Sequence, residues 1–421
     1  MSTLHSSTQA SPQPDPQDSR MTRTEVRASA SLASIFALRM LGLFLILPVF
    51  SVHARSMPGG DSATLIGLAM GMYGLTQSFG QIPFGIASDR YGRKRIIIIG
   101  LLLFAIGSFI AAMASHIGWV IVGRGIQGAG AISAAITALI ADSTREEHRT
   151  KAMAMVGGSI GLSFAVSLVA APLLYSAIGM GGMFALIGLM SVAAILVVIY
   201  VVPQAAPLPP QTVRFAEVLK NRELMRLNYG VFALHLTQMA MFVVVPAALV
   251  RGMGLPVAEH WKIYLPVVLL SFVLMLPPVF VGEKQGRMKQ VFVGAIVLLL
   301  LVQAGMWLTL SQAAPHWMAL AGLLLAFFVA FNILEASQPS LVSRLAPVGG
   351  RGAALGVYNT LQALGLFCGG AAGGWLTQHS GPSAVFILGA GLTVVWLIIA
   401  SNMQNLPRRS PRQQPAAVPT S

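Results

Sequence analysis

The stretch GIASDRYGRKR, from Gly85 to Arg95, lies between two apolar runs, and VGEKQGRMKQ, from Val281 to Gln290, lies between two others. Aligning Asp89 with Glu283 also places Gly92, Arg93 and Arg95 on Gly286, Arg287 and Lys289. Chemically matched positions at the same place in each half of the chain point to duplicated bundles, an architecture in which a substrate pathway lies between the repeats. Within the first loop, Gly92 lets the chain turn tightly, and Asp89 can cap a helix N-terminus or pair with an arginine. The simplest reading of Arg93, Lys94 and Arg95 alone is anchoring to lipid headgroups.

On either side of these loops run apolar stretches of the length a helix needs to cross a bilayer core about 30 Å thick, roughly 20 residues. Twelve are read, at 31–53, 63–84, 95–114, 117–140, 151–175, 180–203, 224–249, 261–282, 289–310, 316–342, 350–376 and 381–402. The expected fold is therefore an all-α polytopic membrane protein, with twelve transmembrane helices in two six-helix bundles, 31–203 and 224–402. A cytoplasmic linker at 204–223 carries three prolines and an amphipathic piece from Phe215 to Leu219. Residues 1–30 and 403–421 are polar, Pro-containing ends expected to be disordered and cytoplasmic.

Composition agrees with a lipid-embedded chain. The 421 residues are 55% hydrophobic and 10% charged, with a mean hydropathy of +0.75, far from the balance of a water-soluble domain. The net charge of +14 would suit a nucleic-acid binder, but topology accounts for it. If the N-terminus is cytoplasmic, 22 of the 27 Lys and Arg fall at inward ends and loops, leaving Arg55, Arg251 and Lys262 outside and Arg39 and Arg124 within spans. That bias places both termini inside and makes the partner of the basic segments an anionic leaflet, with no nucleic acid required. Cys368 is the single cysteine, which excludes an intrachain disulfide or a multi-cysteine metal cluster.

Charge inside a span is costly, about 2.5–3.5 kcal/mol at a helix centre on insertion scales, so each such residue requires a protein-facing or aqueous role. Arg39 either anchors span 1 or lines a cavity. Arg124 shares a helical face with Gln127 and Gly128, and either orients the first bundle through internal pairing or holds substrate and adjusts a nearby proton site. Glu335, with Asn332 and Gln338 three residues to either side, forms a polar stripe that suits reversible proton carriage or hydrogen bonding between helices. His235, with Gln238 three residues on, is a second titratable candidate or a packed histidine. Tyr73, Gln77, Tyr229, Phe232, Met239, Phe242, Phe327, Phe328, Tyr358, Asn359 and Gln362 are candidates for a broad amphipathic cavity.

At these residues the chain resembles the major facilitator superfamily, and within it the twelve-span drug:proton antiporter branch. GIASDRYGRKR matches the family's G-x-x-x-D-R-x-G-R-K-R signature at Gly85, Asp89, Arg90, Gly92, Arg93, Lys94 and Arg95, and Arg124, Gln127 and Gly128 match its R-x-x-Q-G pattern in span 4. The resemblance implies that Asp89, Arg90, Gly92 and Arg93 form a cytoplasmic conformational latch, with Asp142 and Arg145 as acidic and basic partners and Glu283 and Arg287 as the counterparts in the second half. It also implies a glycine-rich packing segment in span 5 at Gly157, Gly161 and Pro172, here with Ala171 in place of the family's glycine.

Nucleotide-loop, HExxH and G-x-S-x-G patterns are absent from the sequence, so ATP-driven or covalent chemistry is not expected and no catalytic residue, cofactor or metal is assigned. The expected function is export of amphipathic or hydrophobic small molecules by alternating access, driven by the proton gradient across a bacterial inner membrane, by a monomer. Symport or facilitated movement of a small metabolite is the alternative. A membrane sensor or scaffold would need a soluble signalling region, and none is read here.

Overall fold

Apolar runs with few internal breaks fold as helices wherever lipid leaves no other partner for the backbone. The computed structural model describes residues 21–203, 215–312, 316–347 and 350–403, and within them the chain is α-helical with two short 3-10 turns. Span 1 consists of α1 (Arg23–Phe44) and α2 (Leu47–His53), span 2 is α3 (Ala63–Tyr91), and span 3 is α4 (Arg93–Ala112). Span 4 is broken into α5 (Ile117–Ala129) and α6 (Ser133–Asp142). Spans 5 and 6 are the two helical parts of α7 (Glu146–Tyr200), separated by a kink at Gly179, whose φ of 66° and ψ of −179° are not helical. After the linker helix α8 (Phe215–Lys220), spans 7 to 12 are α9 (Arg222–Met253), α10 (Trp261–Gln285), α11 (Met288–Leu310), α12 (Trp317–Leu345), α13 (Arg351–Ser380) and α14 (Ala384–Ser401).

These twelve spans agree with the sequence reading, with one correction at the start. The expected disordered stretch 1–30 gives way to helix at Arg23, because Thr22 and Glu25 form a capping box: the Thr22 hydroxyl accepts from the Glu25 amide at 3.2 Å and the Thr22 amide donates to the Glu25 carboxylate at 2.7 Å. Residues 1–20, 204–214 and 404–421, for which disorder or a linker is expected, lie outside the described residues. Nine described stretches are apolar and long enough to span by hydropathy, one of them (Lys151–Tyr200) holding two spans. The two left out are α3 and α13, the glycine-rich helices that face each other.

Where α3 meets α13 the two halves touch backbone to backbone. A Cβ on Gly67 would stand 2.1 Å from the Gly370 carbonyl oxygen, and one on Gly74 2.3 Å from that of Ala363. On its other face α13 meets α9 as closely, with Gly369 against the Leu236 carbonyl at 2.3 Å by the same measure. At the tip of this seam Gln378 Oε1 accepts from the Ser62 hydroxyl, the Thr64 amide and the Thr64 hydroxyl at 2.9, 3.0 and 2.7 Å, so a side chain of the second half caps the first turn of α3. Further in, Phe164 of α7 joins Phe242, Phe328 and Phe331 at centroid distances of 6.4, 5.8 and 5.6 Å, an aromatic contact that also spans the halves.

The duplication is visible in hydrogen bonds. Lys94 donates to the Val202 carbonyl and Lys289 to the Met403 carbonyl. Arg27 donates to Tyr200 O at 3.5 Å and Arg226 to Asn402 O at 2.8 Å. In each half, basic residues of the first and third spans thus hold the free carbonyls at the end of the sixth. This corrects the alignment of Arg95 with Lys289: Lys94 is the counterpart, because Gly92 alone joins α3 to α4 whereas Gly286 and Arg287 both separate α10 from α11.

Candidate functional site

The loop expected to act as a latch closes on itself. Gly92 adopts φ 97°, a conformation glycine alone takes readily, and turns the chain straight from α3 into α4. That places Arg93 against three acceptors: it pairs with Asp89, its Nε lies 3.1 Å from Asp142 Oδ2, and its Nη1 donates to Ser88 Oγ at 2.7 Å. Arg145 does not share Asp142. It binds Glu25 instead, through its backbone amide at 2.9 Å, Nε at 3.1 Å and Nη2 at 3.3 Å. Arg90 lies over the Tyr91 ring at 5.5 Å. In the second half Glu283 meets Arg344 at 3.7 Å, while Arg287 is exposed and makes no ion pair among the described residues, so it does not repeat the part of Arg93. Each of these named pairs lies within one half, at the end of the molecule opposite the glycine seam.

Inside the first half, Gly128 brings α5 onto α3: its Cβ would fall 2.1 Å from the Tyr73 carbonyl. One turn earlier Arg124 reaches the Tyr73 ring, with Cζ 5.0 Å from its centroid, and Arg39 of α1 approaches the same ring at 5.7 Å. Arg124 donates to Gln127 Oε1 at 3.0 Å and to Met70 O at 3.4 Å, Gln127 donates to Ser108 Oγ at 2.7 Å, and Arg39 donates to Ser133 Oγ at 2.8 Å. The structure thus brings Arg39 to the pair that Arg124 and Gln127 form on one helical face, a contact not expected from the sequence.

Inside the second half three helices meet at His235, Glu335 and Gln362. His235 Nδ1 lies 3.0 Å from the Val231 carbonyl, which can only accept, so Nδ1 carries the proton and Nε2 of the neutral ring is an acceptor. Gln362 Nε2 sits 2.7 Å from that Nε2 and 3.5 Å from Glu335 Oε1, and Glu335 Oε2 is 3.6 Å from His235 Nε2. The Glu335 side chain is 23% exposed, whereas Arg39 and Arg124 are almost wholly buried.

The expected stripe beside Glu335 divides. Asn332 turns to Ser271 of α10 at 3.0 Å, while Gln238 and Gln338 are buried with unpartnered amides. Of the cavity candidates, Tyr229 points to Leu392 O of α14 at 3.1 Å and leaves the set. The span 5 packing candidates are also corrected: a Cβ at Gly157 or Gly161 would meet nothing within 4 Å, and Pro172 sits within a helix that runs on through it. Sequence reasoning missed Glu25, although T-x-x-E ahead of an apolar run is a legible cap signal, and it missed Ser133 and Gln378, for which no local signal exists.

The sequence profile of the Major Facilitator Superfamily matches residues 32–367 and 286–419. The chain is 42% identical over 396 residues to the inner membrane transport protein YajR of Escherichia coli K12, covering 93% of this chain and 86% of that protein. It is 34% identical over 352 residues to an uncharacterized transporter, BU466, of Buchnera aphidicola, covering 82% and 89%. Among solved structures, a bacterial homolog of the human lysosomal transporter Spinster, inward-facing and occupied, aligns with a TM-score of 0.71 at 13% identity over 91% of this chain and 97% of that one.

Proposed function

That the chain belongs to the Major Facilitator Superfamily, and so is a secondary transporter embedded in a membrane, is the premise from which we propose proton-coupled export of amphipathic or hydrophobic small molecules by alternating access. The reading places a monomer in a bacterial inner membrane with both termini in the cytoplasm. The observation that carries it is the contact of His235, Gln362 and Glu335, because a carboxylate and an imidazole sharing one amide donor can exchange a proton with water and feel each other's charge. The aromatic contact of Phe164 with Phe331 adjoins this cluster, since Phe331 lies 5.8 Å from the His235 ring, and offers an apolar body a place near the proton site. The latch at Asp89, Arg93 and Asp142 and the glycine seam at the other end give the two states something to break and remake.

The test is counterflow in proteoliposomes with a panel of amphipathic compounds, with and without an imposed inward proton gradient. Wild type is expected to accelerate with the gradient, and Glu335→Gln to retain counterflow while losing that acceleration. A carrier active in counterflow but indifferent to the gradient would sink the coupling reading, and full gradient response in E335Q would remove Glu335 from it.

A further inference from the structure

We propose that the first half holds a small anion between Arg39, Arg124 and Tyr73, either an inorganic ion or the acidic group of the transported compound, the second case resting on the transport reading above. Two guanidinium groups from α1 and α5 flank one tyrosine ring, and their relative exposures are 2% and 0%. Every hydrogen-bond partner they have is neutral: the Ser133 hydroxyl, the Gln127 amide oxygen and the Met70 carbonyl. Arg39 Nε and Nη2, Arg124 Nε and the Tyr73 hydroxyl are buried and find no partner. Among the described residues neither arginine pairs with a carboxylate.

The contrast with the rest of the chain gives this weight. At the latch, Arg93 has Asp89 and Asp142, and Arg145 has Glu25. The two most deeply buried arginines pair with no acid among the described residues. Burial of an ion is costly even after relaxation, and a cation over an aromatic ring returns only part of that cost, which leaves two positive charges and four donors unserved. A carboxylate, sulfonate, phosphate or halide would meet both needs, since guanidinium groups bind oxyanions through paired N–H donors. A cavity against Arg39, lined also by Phe104 and Ser191 but by neither Arg124 nor Tyr73, measures about 10 Å³, room for roughly one water. With both guanidinium groups and the ring buried, the site is closed in this conformation, and an organic acid enters only when helices part.

The experiment is thermal unfolding of the purified full-length protein in a low-salt zwitterionic buffer, alone and with equal ionic strengths of sodium chloride, benzoate or benzenesulfonate, with benzyl alcohol as the neutral control. At least one small anion is expected to raise the midpoint by several degrees with saturation. Arg39→Gln and Arg124→Gln should each abolish the rise, and Arg39→Lys should keep most of it. Tyr73→Phe, which keeps both cations and the ring, should weaken the half-saturating concentration several-fold and serves where a glutamine variant fails to fold. A response to chloride assigns an inorganic ion, and a response to the aromatic acids alone assigns the acidic group of an organic cargo. A wild type unmoved by every anion, a rise that persists in both glutamine variants, or an equal response to benzyl alcohol overturns the proposal. No proton gradient enters this measurement, so its failure is distinct from a failure of proton coupling.

Discussion

Gln362 donates toward two titratable neighbours at once, the bare nitrogen of His235 at 2.7 Å and the carboxylate of Glu335 at 3.5 Å. A protonated His235 would present an N–H to an amide N–H, so the amide must turn over or the proton must point to Glu335 Oε2. Tyr358, whose buried hydroxyl has no partner, also lies within electrostatic reach of Glu335. Gln362→Leu removes both donations, each worth about 0.5–1.5 kcal/mol between neutral groups and about 1.5–3 kcal/mol to a charged one. Under the proton-coupling proposal, loss of this shared donor is expected to shift the pH profile of gradient-driven transport. Counterflow rates measured across pH in proteoliposomes check this, and an unmoved profile would make Gln362 a packing residue only.

The helix that carries Gln362 is also the helix of the seam, and the two roles sit one residue apart, since Ala363 lies under Gly74. α13 turns glycines to both neighbours: Gly370 and Gly374 toward α3, Gly365 and Gly369 toward α9. Under the proton-coupling proposal, protonation of His235 or Glu335 would thus bear, through Gln362, on the element that joins the halves. A Cβ at Gly370 would lie 2.4 Å from the Gly67 carbonyl oxygen and 2.8 Å from the Gly71 amide nitrogen, both backbone atoms that cannot swing aside. Overpacking of this kind costs about 1–3 kcal/mol, enough to shift a two-state equilibrium about 5- to 150-fold. Gly370→Ala is therefore expected to populate the state parted at the seam. Spin labels at Asp61 and His379, exposed residues beside the Ser62–Gln378 contact, would report it as a longer distance. Gly391→Ala, at a position with open space, is the control that should change nothing.

At the scale of the molecule, charge sorting predicts an orientation, and the glycine seam and the loop expected to act as a latch lie at opposite ends of one two-part body. With Cys368 replaced by Ser, a cysteine introduced at Ser401 is expected to react with an impermeant maleimide only from the cytoplasmic side, and one at Asp61 only from the other. The reverse pattern would overturn the assignment made from the 22 inward basic residues. All twelve spans were legible because apolar length is a local property, and even the less apolar α3 and α13 keep enough of it. The partners were not legible. Gly157 and Gly67 look alike in sequence, yet one faces open space and the other a carbonyl 2.1 Å from where its Cβ would be, because the difference lies in the opposing helix. Arg39 and Arg124, 85 positions apart, meet only through Tyr73, and no spacing rule announces a shared ring.

A seam built from glycine and alanine has one further consequence. Neither residue loses rotamer freedom on contact, so closing this end of the protein carries almost no side-chain entropy cost. Its attraction comes from close atomic contacts along two backbones, and a gap of about 0.5–1 Å already forfeits a quarter to a half of each. Cargo or solvent that holds the helices apart by that little weakens every contact together. The seam has no ladder of partly closed positions on which to rest, so its two helices are either in full backbone contact or apart.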